Sequence, residues 1–78
     1  MELYYVLKIS GSEFYLSGLS LNPGESDSGF IDYVSFDKDI DTCKLNNLYY
    51  TFNKAKSLAN IIFINTGINL ELEKVEVE

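Results

Sequence analysis

This 78-residue sequence contains no histidine, no arginine and no tryptophan, and only one cysteine and one proline. Without histidine, neither a Ser-His-Asp triad nor a Cys-His pair can form, and the usual zinc ligand is missing. No glycine-rich loop with a following Lys and Ser or Thr is present to hold a phosphate. Carboxylate pairs could still act as acid and base, but a domain of this size rarely encloses a substrate pocket. We therefore predict that the protein is not an enzyme and uses no cofactor.

The single cysteine, Cys43, excludes an internal disulfide, and this favours a reducing compartment. The sequence also has no apolar run long enough to be a signal peptide or a membrane span. We expect the cytoplasm as its location and no contact with a membrane.

Acidic residues outnumber lysines by twelve to six, so the formal net charge is −6. Such a chain repels nucleic acid and anionic membranes, and it suits a larger basic partner, such as a protein that itself binds nucleic acid. Acidity that serves only solubility would explain the same charge. With 46% hydrophobic residues the chain is too apolar for a disordered tail, and we predict one domain over residues 1–78. A domain this small has a thin stability margin, which favours self-association.

Alternating apolar and polar residues predict an initial antiparallel hairpin. Residues 2–9 place four apolar side chains on one face, and residues 13–17 place Phe14 and Leu16 on one face. The Ser-Gly-Ser sequence at 10–12 predicts the tight turn between them. Residues 18–29 predict a long loop, because they are rich in Gly and Ser and include Pro23-Gly24, a pair typical of a type II turn.

Residues 30–36 predict a third strand from their aromatic and β-branched content. Its predicted faces are Phe30, Asp32, Val34 and Phe36 on one side and Ile31, Tyr33 and Ser35 on the other.

Two interpretations of residues 42–67 are open. In the first, which we prefer, a short strand ends near Tyr50, Thr51 caps a helix that runs to Asn65, and Gly67 ends it. In the second, one longer helix begins after a cap at Asp41 or Thr42. The poor helix formers in residues 46–51 favour the first. The apolar stripe predicted for the shorter helix consists of Phe52, Ala55, Ala59, Ile62 and Phe63.

Residues 69–78 predict the last strand. Its leucines occupy even positions and its valines odd ones, so we predict a β-bulge near Glu73 and Lys74 that brings both sets to one face. The whole pattern predicts an α+β domain, in which one helix packs on one face of an antiparallel sheet of four or five strands.

A capped helix with an Ala-x-x-Leu-Ala core, a glycine and an acidic strand follow one another in the second half of the chain. The residues are Tyr49-Tyr50-Thr51-Phe52-Asn53-Lys54-Ala55-Lys56-Ser57-Leu58-Ala59, then Gly67, then Val75-Glu76-Val77-Glu78. In this order they resemble the C-terminal half of many small phage proteins, whose first hairpin is also similar. The resemblance covers about two thirds of the chain and implies a phage or mobile-element origin. Such proteins include inhibitors of host defence, for example anti-CRISPR proteins, but the resemblance transfers no functional residue.

Three aspartates stand at alternate positions, Asp37, Asp39 and Asp41. An EF-hand calcium loop that began at Asp37 would need Gly at its sixth position and Glu at its twelfth, where the chain has Thr42 and Leu48. We therefore predict no metal site. The aspartates are then either a negative surface for a partner or the residues of a solvated loop.

Four glutamates also alternate in the last strand, at Glu71, Glu73, Glu76 and Glu78. With the predicted bulge, all four point to solvent. Alternate strand residues repeat at about 6.6–6.8 Å, close to the spacing of successive phosphates along a nucleic-acid strand. The strip could therefore engage a groove of Lys and Arg that binds a phosphate backbone. Alternatively, it is the polar face of an amphipathic strand or a block against edge-to-edge aggregation.

Tyr4, Tyr15 and Tyr33 are predicted on the sheet face opposite the helix. Grouped aromatic residues suit an interface with a partner or a second copy, although a wet or loop-covered face is the alternative. Ile61 and Ile64 lie off the helix stripe and predict further cover by a second subunit.

These features together predict a binding protein that inhibits a nucleic-acid-handling defence protein by occupying its basic surface. The aspartates, the glutamates and the three tyrosines are the predicted contact residues, and we expect no direct contact with nucleic acid. The alternative is a small structural or regulatory dimer whose acidity serves only solubility.

Overall fold

The structure, a computed structural model, describes residues 2–22 and 30–77. Its elements in chain order are β1 (Glu2–Ile9), β2 (Tyr15–Asn22), β3 (Phe30–Asp37), α1 (Ile40–Leu45), α2 (Phe52–Thr66) and β4 (Leu70–Val77). The strands form one antiparallel sheet in the order β3-β2-β1-β4. This confirms the predicted α+β class, with four strands and one main helix. The predicted Pro23-Gly24 turn and Glu78 lie outside the described residues.

Helices cover both faces of the sheet. On one face, α2 buries its apolar side against the first core, which is built around Leu7, Leu16, Ala55, Leu58 and Ile62. On the other face, α1 covers a smaller second core built around Val6, Cys43 and Val75. We call these the α2 face and the α1 face. Because α1 was not predicted as a separate helix, the second core was missed.

The main helix follows the preferred interpretation. Thr51 is its N-cap in an extended conformation, although its side chain makes no capping hydrogen bond. Gly67 ends the helix with φ 76°, a left-handed conformation that glycine adopts without steric cost, and its N–H donates to the Phe63 carbonyl at 2.8 Å. The predicted stripe is wrong in part, because Leu58 is buried while Phe52 and Phe63 lie half exposed. The small Ala55 lets the helix approach the sheet closely, so the large rings flank the contact instead of filling it.

A second, short helix occupies the start of the region that the longer-helix interpretation had assigned to one continuous helix. Asp39 is the N-cap of α1, and the helix stops after Leu45. Asn47 adopts φ 58°, and its N–H and that of Leu48 donate to the Lys44 and Cys43 carbonyls at 3.1 and 2.8 Å. This is a Schellman ending, which an asparagine can support because it tolerates the left-handed region. The chain therefore turns away between the two helices.

The hairpin of β1 and β2 is confirmed, but the two strands pair only at its closed end, where Lys8 faces Tyr15. Further along β1, Tyr5 exchanges both backbone hydrogen bonds with Tyr50, at 2.8 and 2.9 Å. The segment between the helices thus takes the place of β2 beside β1.

Side chains of α1 and of the residue that follows it satisfy two β2 carbonyls at the point where β2 separates from β1. The buried Cys43 thiol donates to the Leu16 carbonyl at 3.0 Å, and the Asn46 amide donates to the Ser17 carbonyl at 2.7 Å. A buried carbonyl without a partner would cost about 1–3 kcal/mol, so these two contacts allow the strands to separate.

Strand β2 continues to Asn22, so the prediction that residues 18–22 belong to a loop is wrong. An extra residue, Ser17, bulges from β2 between the Leu16–Phe36 and Gly18–Ser35 pairs. The bulge resets the alternation, so that Leu19 and Leu21 reach the first core.

A second irregularity corrects the predicted faces of β3. Ser20 pairs with Tyr33 but Leu21 pairs with Ile31, so Asp32 is the extra residue. Ile31 therefore joins Val34 and Phe36 in the first core, whereas the strict alternation had put it on the tyrosine side.

Strand β4 contains no bulge, and the predicted one near Glu73 and Lys74 is wrong. Its register with β1 is continuous from Ile9–Leu70 to Glu2–Val77. Leu70 and Leu72 pack toward α2, while Val75 packs into the second core. The switch from even to odd apolar positions reflects burial on both faces rather than an inserted residue.

Candidate acidic interface

The continuous register of β4 divides its glutamates between the two faces of the sheet. Glu71 and Glu73 pair with Lys8 and Val6 and lie on the α1 face. Glu76 pairs with Leu3 and lies on the α2 face. The prediction of a single outward strip is therefore wrong, because without a bulge odd and even residues point to opposite sides. Glu71 and Glu73 remain as neighbours on one face, about 6.7 Å apart along the strand.

A row of paired residues crosses the α1 face and joins both edges of the sheet. Asp37 on β3 pairs with Tyr15, Tyr15 pairs with Lys8, and Lys8 pairs with Glu71 on β4. Four strands span about 14 Å, so the aspartate and the glutamate lie at opposite ends of that row. The Lys8 ammonium lies 3.2 Å from a Glu71 carboxylate oxygen. The hydrogen bond to Glu71 raises the pKa of Lys8, and the lysine stays charged.

Tyr15 holds Glu73, the second glutamate of β4 on the α1 face, in place. Its hydroxyl donates to Oε2 of Glu73 at 3.0 Å. Burial of the phenol, together with this bond to a carboxylate, raises the pKa of Tyr15, because both disfavour a phenolate. Glu73 is thereby held against the sheet, whereas Glu71 is exposed.

The alternate aspartates have a local structural cause that the sequence analysis missed. The Asp37 carboxylate accepts the N–H of Asp39 at 2.9 Å, and the Asp39 carboxylate accepts the N–H of Asp41 at 2.9 Å. The first contact turns the chain at the end of β3, and the second caps α1. Asp41 lies in the first turn of α1, where the helix dipole favours a carboxylate. The signal available in the sequence was Asp39 directly before the apolar Ile40.

We define the acidic face as the five carboxylates that the fold gathers on the α1 side of the molecule: Asp37, Asp39, Asp41, Glu71 and Glu73. Two lysines lie on the same side, Lys44 and the ion-paired Lys8, while Lys38 lies over the Phe14 ring at 5.5 Å. The other three lysines, at positions 54, 56 and 74, lie on the α2 side, where Glu76 is the carboxylate of β4. Among these named residues, carboxylates outnumber lysines on the α1 side, and lysines outnumber the single carboxylate on the α2 side.

The three tyrosines share the α1 face, but only Tyr33 is well exposed, at 57%. Tyr4 stacks edge-on against Tyr49 with ring centroids 5.2 Å apart, and both it and Tyr15 pack on the second core. Their surface for a partner is smaller than predicted, because α1 and the following segment cover the face. Their contact role stays a prediction.

Apolar exposure is instead highest on the two helices. Leu45 at the end of α1 is 82% exposed, a feature that the sequence analysis missed. Ile64 is 70% exposed, whereas Ile61 is half-buried.

A shallow groove of about 290 Å³ lies between α2 and β4. Its lining is mostly apolar, with one lysine and two asparagines: Lys56, Ala59, Asn60, Phe63, Asn69, Leu70 and Leu72. It holds no carboxylate among the described residues, and so offers no acid–base pair. Within residues 2–22 and 30–77, no three His, Cys, Asp or Glu side chains are grouped so that they could hold a metal ion. Among the described residues, the acidic face, with five carboxylates on one side of the sheet, is therefore the candidate site.

Comparison with protein-family models, with curated proteins and with solved structures finds no match. Neither described helix is long and apolar enough to cross a membrane.

Proposed function

We propose that the protein binds a larger basic protein through the acidic face and acts by occupying a surface that otherwise binds nucleic acid. The supporting observation is that residues from β3, α1 and β4, distant in sequence, present their carboxylates on one side of the sheet. Binding rather than catalysis is proposed, since the acidic face has no histidine and lies on an open surface.

The electrostatic argument rests on complementarity. Carboxylates about 6.7 Å apart, as at Glu71 and Glu73, repeat at a spacing close to that of phosphates, so lysines and arginines placed for a phosphate backbone could pair with them. Opposed charge on two surfaces raises the association rate and gives orientation more than affinity. The lysines on the α2 side strengthen the orientation, because they are repelled by the same basic partner.

Nucleases and other nucleic-acid-binding proteins of host defence are the partner class that we propose, in keeping with the resemblance to small phage proteins, anti-CRISPR inhibitors among them. Inhibition would then be competitive with nucleic acid. The rival role, a small structural or regulatory protein whose acidity only keeps it soluble, predicts no charge-dependent partner.

The variants that test the acidic face must keep its hydrogen bonds. Asn caps helices about as well as Asp, so changing all three aspartates to Asn keeps the turn and the α1 cap while removing three charges. Glu71→Gln with Glu73→Gln keeps an acceptor for Tyr15. Glu76→Gln is the matched control, because it removes the same kind of charge from the α2 face.

The wild type, these three variants and the variant that combines the two acidic-face sets serve as immobilised baits for the lysate of a bacterial host. An oligonucleotide duplex is the competitor. We expect a protein that the wild type and Glu76→Gln retain, that the combined acidic-face variant releases, and that the duplex displaces. The association rate of that protein, measured across a salt series, should fall and lose salt dependence in the acidic-face variant. Equal retention by all five baits at equal melting temperature, or retention that the duplex leaves unchanged, would contradict the proposal.

A further inference from the structure

Strand β4 lies at one edge of the sheet, and within the described residues no strand pairs with its outer side. The Tyr5 backbone bonds Tyr50, on the side of β1 away from β4. Since successive residues of a strand direct their backbone groups to opposite sides, Tyr4, Val6 and Lys8 bond β4. Their partners in β4 have odd numbers. The N–H and C=O groups of the even residues, Lys74 and Glu76 among them, therefore point to the open edge.

We propose that two copies of this chain pair through β4, antiparallel and about a twofold axis at Val75, so that their sheets join into one of eight strands. This inference goes beyond the proposed function and does not depend on it. A second copy is the partner that we propose for the open side of β4, because β4 is complementary to itself in one antiparallel register. The charged residues of β4 and the apolar residues beside it support this register.

A twofold axis perpendicular to the sheet leaves the α1 faces of both copies on the same side of the joined sheet. Such an axis must lie between two copies of the same residue, which oppose each other across the strand pair. An axis at Glu71, Glu73, Lys74 or Glu76 sets like charges directly against each other, and an axis at Leu72 sets Glu71 against Glu73. An axis at Leu70 or Val77, the two ends of β4, leaves the rest of each β4 unpaired with the other. Like charges opposite each other destabilise a strand pair. An axis at Val75 instead sets Lys74 of each copy against Glu76 of the other, which gives two opposite-charge pairs.

The backbone fits the same register. Lys74 and Glu76 direct their N–H and C=O groups outward, so each Lys74–Glu76 pair exchanges two hydrogen bonds. Val75 then opposes Val75 of the second copy as a non-hydrogen-bonded pair, in which side chains approach most closely. Edge strands commonly carry charges that block sheet extension. Here those charges block the other registers and favour this one.

Apolar residues on both faces lie beside the proposed seam. On the α1 face, Val75 pairs with Tyr4, so an apolar row of tyrosine, two valines and tyrosine would cross the axis. On the α2 face, Leu3 is 55% exposed and pairs with Glu76. Phe52 is 50% exposed and packs edge-on against Tyr5, the neighbour of Lys74, with centroids 5.4 Å apart. Half-exposed apolar groups thus flank the charged pairs.

The test is a charge exchange followed by sedimentation equilibrium over a concentration series. Lys74→Glu alone turns both cross-copy pairs into Glu–Glu, and Glu76→Lys alone turns both into Lys–Lys. Each should weaken dimerisation about tenfold or more, and the double variant should restore it, because the pairs are re-formed with their signs reversed. Lys54→Glu is the matched control, an exposed lysine of α2 that is not part of β4, and should leave dimerisation as in the wild type.

Amide hydrogen exchange supplies a second readout that does not depend on the variants. In the wild type, exchange at Lys74 and Glu76 should slow as the protein concentration rises. A monomer throughout the micromolar range would overturn the proposal. So would a dimer that both single variants leave intact at unchanged melting temperature, since that dimer would use another surface, such as the Ile64 side of α2.

Discussion

Replacing Gly18 by alanine should destabilise the fold through one identifiable contact. Gly18 follows the bulged Ser17 in β2 and pairs with Ser35. A Cβ built on it would lie 2.5 Å from the Ser35 hydroxyl oxygen and 3.0 Å from a ring carbon of Tyr33. Both distances are shorter than van der Waals contact, so the serine must rotate and the ring must shift. The rotation breaks the 3.2 Å hydrogen bond between the Ser35 and Ser17 hydroxyls.

The magnitude follows from three terms. The lost hydrogen bond costs about 1 kcal/mol, and crowding in a packed site costs about 1–3 kcal/mol. Alanine restricts the unfolded chain, which returns about 0.4–1 kcal/mol. The net loss is therefore about 2 kcal/mol of the free energy of unfolding, or about 10 °C in Tm for a domain of this size. Urea denaturation monitored by circular dichroism measures it.

Ser35→Ala provides the control, because it removes the hydroxyl that the new Cβ would meet. In that background Gly18→Ala should cost about 1–2 kcal/mol less than in the wild type, a coupling well above the 0.3–0.5 kcal/mol expected of independent sites. If the two substitutions add within that margin, or if Gly18→Ala alone leaves stability unchanged, the contact is not what requires glycine here.

Four further outcomes are expected. Asp39→Ala should cost about 1 kcal/mol because it removes a cap that is made, whereas Thr51→Ala should cost under about 0.5 kcal/mol because the threonine side chain caps nothing; equal losses in urea denaturation would contradict this. Burial raises the pKa of the Cys43 thiol above its ordinary value. The protonated thiol therefore contributes fully to the stability of the fold below about pH 8.5, and this contribution is lost as the pH rises through the folded pKa. Between pH 8 and 10, Tm should thus fall less in Cys43→Ala than in the wild type. Cys43→Ser should leave partner binding intact, since the thiol is buried; loss of binding at unchanged stability would argue otherwise. Melting temperatures with EDTA and with millimolar calcium should agree, and a large rise with calcium would reveal a metal site.

The strands and the main helix could be predicted because each leaves a local pattern. Alternation, together with aromatic and β-branched content, predicted all four strands, although β2 only in part, and the Thr51 and Gly67 boundaries predicted α2. The faces were harder, since a bulge at Ser17 or Asp32 changes which residues point inward without changing the composition. In β4 the error ran the other way. A switch of the apolar residues from even to odd positions can result from a β-bulge or from burial on both faces of the sheet. The second cause becomes evident only when α1 is known to cover the second face.

The candidate site depended on contacts that local pattern does not contain. The three aspartates were found by their spacing, but their hydrogen bonds to successive N–H groups follow from the path of the chain between β3 and α1. Glu71 lies on the same side as the aspartates and Glu76 does not. This difference results from the register of β4 against β1, a pairing between residues far apart in the sequence.

The central position of β1 sets the order in which the molecule can assemble. Along its length β1 is paired with β4, across separations from 61 residues at Ile9–Leu70 to 75 residues at Glu2–Val77, and it meets β2 at one pair only. Closing loops of that length must precede any gain from the pairing, so folding should be slow for a domain of 78 residues. During synthesis, β1 would leave the ribosome before β4, and at least 61 further residues must follow Ile9 before its main partner exists. Until then, both the β2–β3 pair and the unpaired β1 would be accessible to chaperones.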